Sequence, residues 1–74
     1  MINEIIQYEE GELDFVETVK LFSALIKSGQ IMGLQGSYHR TGAQMIIDGL
    51  LENDGSINWD KMEDISEELE WLSS

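Results

Sequence analysis

Residues 34–50 read LQGSYHRTGAQMIIDGL, and this stretch differs in composition from the acidic sequence on either side of it. It contains His39 and Arg40, the only histidine and the only arginine of the chain, directly after Tyr38. The whole chain holds 15 acidic residues against 4 basic ones. A specific contact with another molecule is therefore expected in this stretch more than elsewhere.

The same stretch predicts a central helix. Ser37 is a favourable N-cap residue and Gly49 a favourable residue just past a helix, so we predict a helix from Ser37 to Asp48. Its broad apolar face consists of Tyr38, Thr41, Met45 and Ile46. Ile47 points nearly the opposite way. A helix that is apolar on more than one side lies in the centre of a core or packs on a second chain.

Two helices are predicted before it. Residues 2–10 form a short helix that ends at Gly11. Asp14 is the predicted N-cap of a second helix, and Glu17 completes a capping box with it. This helix ends at Gly29. Its apolar stripe consists of Phe15, Val19, Phe22 and Ile26.

The remaining segments predict turns and one more helix. Residues 30–36 predict a helical turn followed by a bend, and residues 51–57 predict a tight turn at an Asp-Gly pair. Either Asn58 or Asp60 caps a last helix over residues 59–72. Its apolar stripe consists of Trp59, Met62, Ile65, Leu69 and Leu72.

These elements predict an all-α fold in a single domain over residues 1–74. The expected architecture is a compact bundle of three to four short helices. A chain this short has a thin core, so completion of the bundle by homodimerisation is an open alternative. The chain has no Cys and one His, which excludes a disulfide and disfavours a structural zinc site.

The formal net charge is −11. A surface of this sign repels phosphate backbones, so direct binding of nucleic acid is disfavoured, whereas a protein partner with a basic surface is attracted. Acidity that serves only to keep a small protein soluble is the simpler interpretation. No apolar run is long enough to span a membrane, and the N-terminus lacks a cationic signal region. We therefore expect a soluble protein of the cytoplasm without contact to a membrane.

Three motifs carry a resemblance to a known family. They are an acidic opening that ends in GELD, a helix with the pattern L-F-x-x-L-I-x-S-G, and a segment with the pattern L-Q-G-x-Y-x-R-T. The matching residues are Tyr8, Glu9, Gly11, Glu12, Leu13, Asp14, Leu21, Phe22, Leu25, Ile26, Ser28, Gly29, Leu34, Gln35, Gly36, Tyr38, Arg40, Thr41, Ile46 and Gly49. This pattern, over residues 8–50, resembles a family of small proteins encoded in bacteriophage genomes.

The resemblance implies a phage or prophage protein that acts in the cytoplasm of a bacterial host, and it assigns no catalytic residue. The chain departs from the family pattern at Met32, where an aromatic residue is common, and at Gly42, where Ala is expected. A glycine inside a helix costs about 1 kcal/mol relative to Ala, so Gly42 lowers the helix propensity of this segment.

Catalysis and metal binding have little support in the sequence. A nucleophile needs a base and an orienting group, and the chain offers one His and no Cys. Asn53, Asp54 and Ser56 resemble half of a calcium loop but lack its alternating acids and its final Glu. A plain turn is the favoured interpretation, and we expect neither an enzyme nor a cofactor.

The start of the predicted third helix is the first candidate for partner binding. It comprises Gln35, Ser37, Tyr38, His39 and Arg40. Free N–H groups at a helix start, together with an arginine, suit a carboxylate or a phosphate. The alternative is structural, in which Ser37 caps the helix, Tyr38 packs in the core and Arg40 pairs with a nearby acid.

The last helix is the second candidate. Its predicted acidic face consists of Glu63, Glu67, Glu68 and Glu70, and Trp71 is predicted to point away from the core. An outward tryptophan among acids suits a contact with a basic and apolar groove of a partner. A tryptophan that folds back onto the first helix is the alternative.

We therefore expect a small acidic phage accessory protein that binds and modulates a host protein, most simply as an inhibitor and without catalysis. A defence nuclease complex or RNA polymerase is a suitable partner, because the groove in which it binds nucleic acid would attract an acidic domain. The alternative is a small helical regulator that binds nucleic acid through residues 37–44, with Tyr38, His39 and Arg40 in contact.

Overall fold

A computed structural model of the protein describes residues 2–64. The helices are α1 (Ile2–Glu9), α2 (Phe15–Ser28), a 3-10 helix (Gln30–Gly33) and α3 (Gly36–Ile47). A further helix, α4, begins at Trp59 and continues to residue 64, where the described residues end. Within residues 2–64 the β-type pairing consists of one isolated antiparallel bridge between Leu51 and Ile57. The predicted all-α helical bundle is confirmed.

The first helix ends where the sequence predicts. Gly11 adopts the left-handed conformation with a φ of 74°. Its N–H donates to the carbonyl of Tyr8 at 3.1 Å, and the N–H of Glu12 donates to the carbonyl of Gln7 at 2.8 Å. Glycine accepts this conformation without a steric penalty, so it satisfies the last carbonyls of α1 and turns the chain back towards α2.

Both ends of α2 are also confirmed. The N–H of Glu17 donates to the Asp14 carboxylate at 2.7 Å, and the N–H of Asp14 donates to the Glu17 carboxylate at 3.2 Å. Gly29 follows the helix with a φ of 78°, and its N–H donates to the carbonyl of Ile26. The capping box and the glycine therefore fix the length of α2 through contacts local in sequence.

The core forms around α2. Its buried apolar residues are Val19, Leu21, Phe22, Leu25, Tyr38, Met45, Leu50, Leu51 and Met62. Phe22 lies at the centre, with its ring centroid 5.3 Å from that of Tyr8 and 6.0 Å from that of Tyr38. The Tyr8 and Tyr38 centroids are also 5.6 Å apart, so the three rings form one cluster that joins α1, α2 and α3. Aromatic contacts of this kind add about 0.5–1.5 kcal/mol to the burial of the rings.

The start of α3 differs from the prediction. The helix begins at Gly36 with Gln35 as its N-cap, and no side chain caps it. The carbonyl of Gln35 accepts the N–H of Tyr38 at 3.0 Å, so the cap lies two residues before Ser37, and Ser37 is already inside the first turn. The predicted N-cap role of Ser37 is wrong. Packing of Tyr38 in the core fixes the helix register, and it overrides the local preference for Ser at the cap.

The glycine inside α3 has a packing reason. Gly42 is buried, and a Cβ atom built on it would lie 3.0 Å from Cδ1 of Ile31 and 3.7 Å from Cδ1 of Ile26. The missing side chain lets α3 approach the 3-10 helix and α2 closely. The helix continues through Gly42 because tertiary packing overrides the cost of about 1 kcal/mol in helix propensity.

The predicted Asp-Gly turn docks on α2. Gly55 is buried with a φ of 93°, and its carbonyl accepts a hydrogen bond from the buried Ser23 hydroxyl at 2.6 Å. The N–H of Glu52 donates to the carbonyl of Ser56 at 2.8 Å across the turn. The Ser23–Gly55 bond spans 32 residues of sequence and fixes the position of the turn relative to α2.

The start of α4 settles the choice between the two predicted caps. The Asn58 side chain accepts the N–H of Lys61 at 3.1 Å, so Asn58 is the cap. Met62 is buried, as the predicted stripe requires, but Trp59 is 53% exposed and does not belong to the core. The other stripe residues Ile65, Leu69 and Leu72 lie outside the described residues. Within residues 2–64, no helix has the length and apolar character that a membrane crossing needs.

Candidate protein-binding surface

Tyr38, a predicted contact residue, lies in the core. Its ring is only 6% exposed, and its hydroxyl donates to the Glu9 carboxylate at 2.6 Å. Burial, and then the bond to Glu9, raise the pKa of Tyr38 to about 12. The phenol therefore stays protonated and holds α1 against α3. The packing of Tyr38 in the core, which was one part of the structural alternative, is therefore confirmed, and it removes Tyr38 from the accessible surface.

The other residues at the start of α3 lie at the surface. Gln35, Ser37 and Arg40 are exposed, and His39 is half-buried. Among residues 2–64, no carboxylate forms a salt bridge with Arg40. The predicted pairing of Arg40 with a nearby acid is therefore not seen in this part of the chain, and its guanidinium faces solvent at the first turns of α3.

The predicted acidic face of the last helix is described only in part. Glu63 is exposed on α4. Glu67, Glu68, Glu70 and Trp71 lie outside the described residues.

An open groove lies between α1 and α2, and we call it the α1–α2 groove. Its volume is about 470 Å³. It is lined by Glu4, Gln7, Leu13, Glu17, Lys20, Leu21 and Ala24. Apolar side chains provide part of the lining and two carboxylates lie on the same lining, so the groove combines apolar surface with negative charge. Cavities of roughly 300–1,000 Å³ are typical of binding sites.

Trp59 lies next to this groove. The Nζ atom of Lys20, which lines the groove, lies 5.9 Å from the centre of the Trp59 ring. A cation over an aromatic face is attracted to it by about 0.5–1 kcal/mol at an exposed site. The contact holds the only cation of the lining against α4 and leaves the tryptophan half-exposed beside the groove.

The described surface carries a large excess of negative charge. All twelve acidic residues within residues 2–64 have exposed side chains, as do all four basic residues. Six of these acids fall between residues 2 and 19, where the chain contains no Lys or Arg. This N-terminal segment provides α1 and the start of α2, which line the groove together with Lys20, Leu21 and Ala24.

Comparison with known proteins places the chain in a family. Residues 1–70 match a family described as a domain of unknown function, DUF7417. The chain belongs to this family. The match extends beyond residues 8–50, on which the resemblance to phage-encoded proteins rests. No curated protein and no solved structure matches the chain.

The turn that resembles half of a calcium loop has an internal role. The Asp54 carboxylate accepts the N–H of Ser56 at 2.9 Å, and this bond lowers the pKa of Asp54. One Asp54 oxygen is thus used inside the turn. Within residues 2–64, no group of three or more His, Cys, Asp or Glu residues lies close enough to hold a metal ion.

The helix patterns of the sequence do not predict the α1–α2 groove. Its α2 residues Glu17, Lys20, Leu21 and Ala24 follow the spacing i, i+3, i+4 and i+7, which is a second helix face beside the main apolar stripe. That spacing was the available signal. It did not identify a groove, because its mixed polar and apolar character is also typical of an ordinary solvated face.

Proposed function

We propose that this protein acts without catalysis, by binding a protein partner that has a basic surface. The exposure of all twelve described acidic side chains carries the proposal. Because these acids lie at the surface instead of being neutralised in the interior, residues 2–64 present twelve negative against four positive side chains to solvent, a net charge of −8. Such a field accelerates encounters with a positively charged partner and opposes binding to phosphate backbones.

The resemblance to phage-encoded proteins supports a more specific form of the proposal. A phage or prophage protein would meet its partner in the cytoplasm of a bacterial host. Host machines that bind nucleic acid, such as a defence nuclease complex or RNA polymerase, carry the basic grooves that an acidic domain can occupy. Occupation of such a groove would exclude nucleic acid, so inhibition of the machine is the expected consequence.

A non-catalytic role is supported by the residues themselves. The chain has one His and no Cys. The phenol of Tyr38 is buried and bonded to Glu9, with a pKa raised to about 12, so it is poorly placed to exchange protons with a substrate near neutral pH.

The test is recovery of a partner from bacterial lysate by the tagged protein, with a charge-reversed variant as the comparison. The variant replaces Glu63, Glu67, Glu68 and Glu70 with Lys. We expect the natural sequence to retain one lysate protein in stoichiometric amount, and the variant to lose it. Recovery that is equal for both proteins would refute a role for these four charges.

The exposed Arg40 at the start of α3 motivates a second candidate, which is binding of nucleic acid through residues 37–44. This candidate requires affinity for DNA or RNA that weakens as salt rises, and that is lost in Arg40→Ala. Titration of duplex DNA and single-stranded RNA at two salt concentrations distinguishes the candidates. We expect no binding, because the other exposed charges repel phosphate.

A further inference from the structure

The apolar lining of the α1–α2 groove is suited to hold apolar side chains. Leu21 is buried at the base of the groove, while Leu13 and Ala24 are half-buried along it. Ala24 is the smallest of the lining side chains, so it leaves space that a larger residue would fill. A solvated groove of about 470 Å³ with this lining gains free energy when an apolar group displaces its water.

The charges around the groove favour an occupant that is basic as well as apolar. Glu4 and Glu17 belong to the lining, and six acids occur between residues 2 and 19. The single cation of the lining, Lys20, lies over the Trp59 ring. An occupant with Lys or Arg beside its apolar residues would therefore be attracted, whereas an acidic or purely apolar one would gain nothing from the rim.

The exposed tryptophan extends the apolar surface beyond the groove. Trp59 is 53% exposed and lies beside Lys20. Tryptophan is enriched among the residues that dominate the energy of protein interfaces. Its indole ring also has an exposed face or edge with which a partner's apolar or cationic side chain can interact.

From these observations we propose that the α1–α2 groove binds a basic amphipathic segment of the partner protein. Apolar side chains of the segment enter between α1 and α2, and its Lys or Arg side chains meet the acids at the rim. This inference rests on the proposed function and adds the site and the chemical class of the bound segment. The occupant is a protein segment because the proposed partner is a protein, and an amphipathic helix in a groove combines apolar anchoring with charge complementarity.

The first test uses a synthetic helical peptide with Leu at every third or fourth position and Lys elsewhere, titrated into the isotope-labelled protein. A scrambled peptide of the same composition is the control. We expect the helical peptide to shift the amide resonances of groove residues. Ala24→Phe, which fills the groove, should weaken binding at least about tenfold. Ala43→Phe places the same side chain at an exposed position of α3 outside the groove and should leave the affinity unchanged.

The second test distinguishes the effect of the acids at the rim of the groove from the effect of the protein's overall negative charge. Glu4→Gln with Glu17→Gln neutralises the rim, and Gln at position 17 can still complete the capping box. Asp48→Asn with Glu52→Gln removes the same charge outside the groove. We expect the first pair to weaken peptide binding several times more than the second pair, with a shallower dependence on salt.

The outcomes separate this inference from the proposed function. If the scrambled peptide bound equally well, and both pairs of variants lost the same peptide affinity, the groove would not be the binding site. The proposal of a partner attracted by charge would still stand. Absence of peptide binding would also overturn the inference about the groove, and the lysate experiment would then decide the proposed function by itself. Groove resonances that shift on dilution of the protein alone would show that a second copy occupies the groove, and this would overturn the inference as well.

Discussion

Replacement of Ser23 by Ala tests how the second half of the chain is attached to α2. The Ser23 hydroxyl is buried and donates to the Gly55 carbonyl at 2.6 Å. Its removal leaves a buried carbonyl without this donor, which costs about 1–3 kcal/mol. Alanine has a higher helix propensity than serine and returns up to about 0.5 kcal/mol. The expected loss in the free energy of unfolding is therefore about 0.5–3 kcal/mol.

The measurement is urea unfolding followed by circular dichroism, together with a thermal melt. For a chain of this size, each kcal/mol lowers the melting temperature by about 4–8 °C. Ser28→Ala is the matched control, because the Ser28 hydroxyl is exposed on the same helix and lies 3.3 Å from the Leu25 carbonyl. It should change the stability by less than about 0.5 kcal/mol. If Ser23→Ala and Ser28→Ala were equally stable, the Ser23–Gly55 bond would not anchor the turn.

Gly55→Ala should lose at least about 2 kcal/mol of stability, because φ is positive there and the new Cβ would lie 3.0 Å from Cγ2 of Ile26. Gly33→Ala is the control, because the space around Gly33 is open, and it should be neutral or stabilising in the same urea assay. Gly42→Ala should raise the melting temperature slightly, because about 1 kcal/mol of helix propensity outweighs a small shift of a flexible side-chain end, and a lower melting temperature would show that the close approach of α3 is required. The pKa of Tyr38 is raised from 10.0 to about 12 in the folded protein, so the free energy of unfolding should fall as the pH rises from 10 to about 12. Tyr38→Phe should abolish that part of the fall, and an unchanged pH profile would contradict the assignment.

Local signals in the sequence predicted the helices well. The Asp14–Glu17 capping box and the glycine at position 29 define α2 because their hydrogen bonds join residues three positions apart. Such bonds depend on the nearby sequence and hardly on the rest of the fold. The stripe on α2 likewise predicted Phe22 as a central core residue, since a spacing of three to four places residues on one helix face.

The candidate site was predicted only in part. Arg40 and Ser37 are exposed at the start of α3, and their role in partner binding stays a prediction, whereas Tyr38 is buried against Glu9, 29 residues earlier in the chain. The α1–α2 groove was not predicted. A groove depends on the distance between two helices, and helix patterns taken one at a time contain no information on that distance.

The amino-acid sequence by itself determined the negative surface, the all-α class and the ends of the first two helices, because charge and capping depend on residue identity and close neighbours. Only the tertiary structure decided which face of each helix stays open. The core volume must be filled, so Tyr38 was drawn inward, the start of α3 moved to Gly36, and Trp59 was left outside beside Lys20. These positions depend on how residues distant in the chain pack together, and so does the groove between α1 and α2.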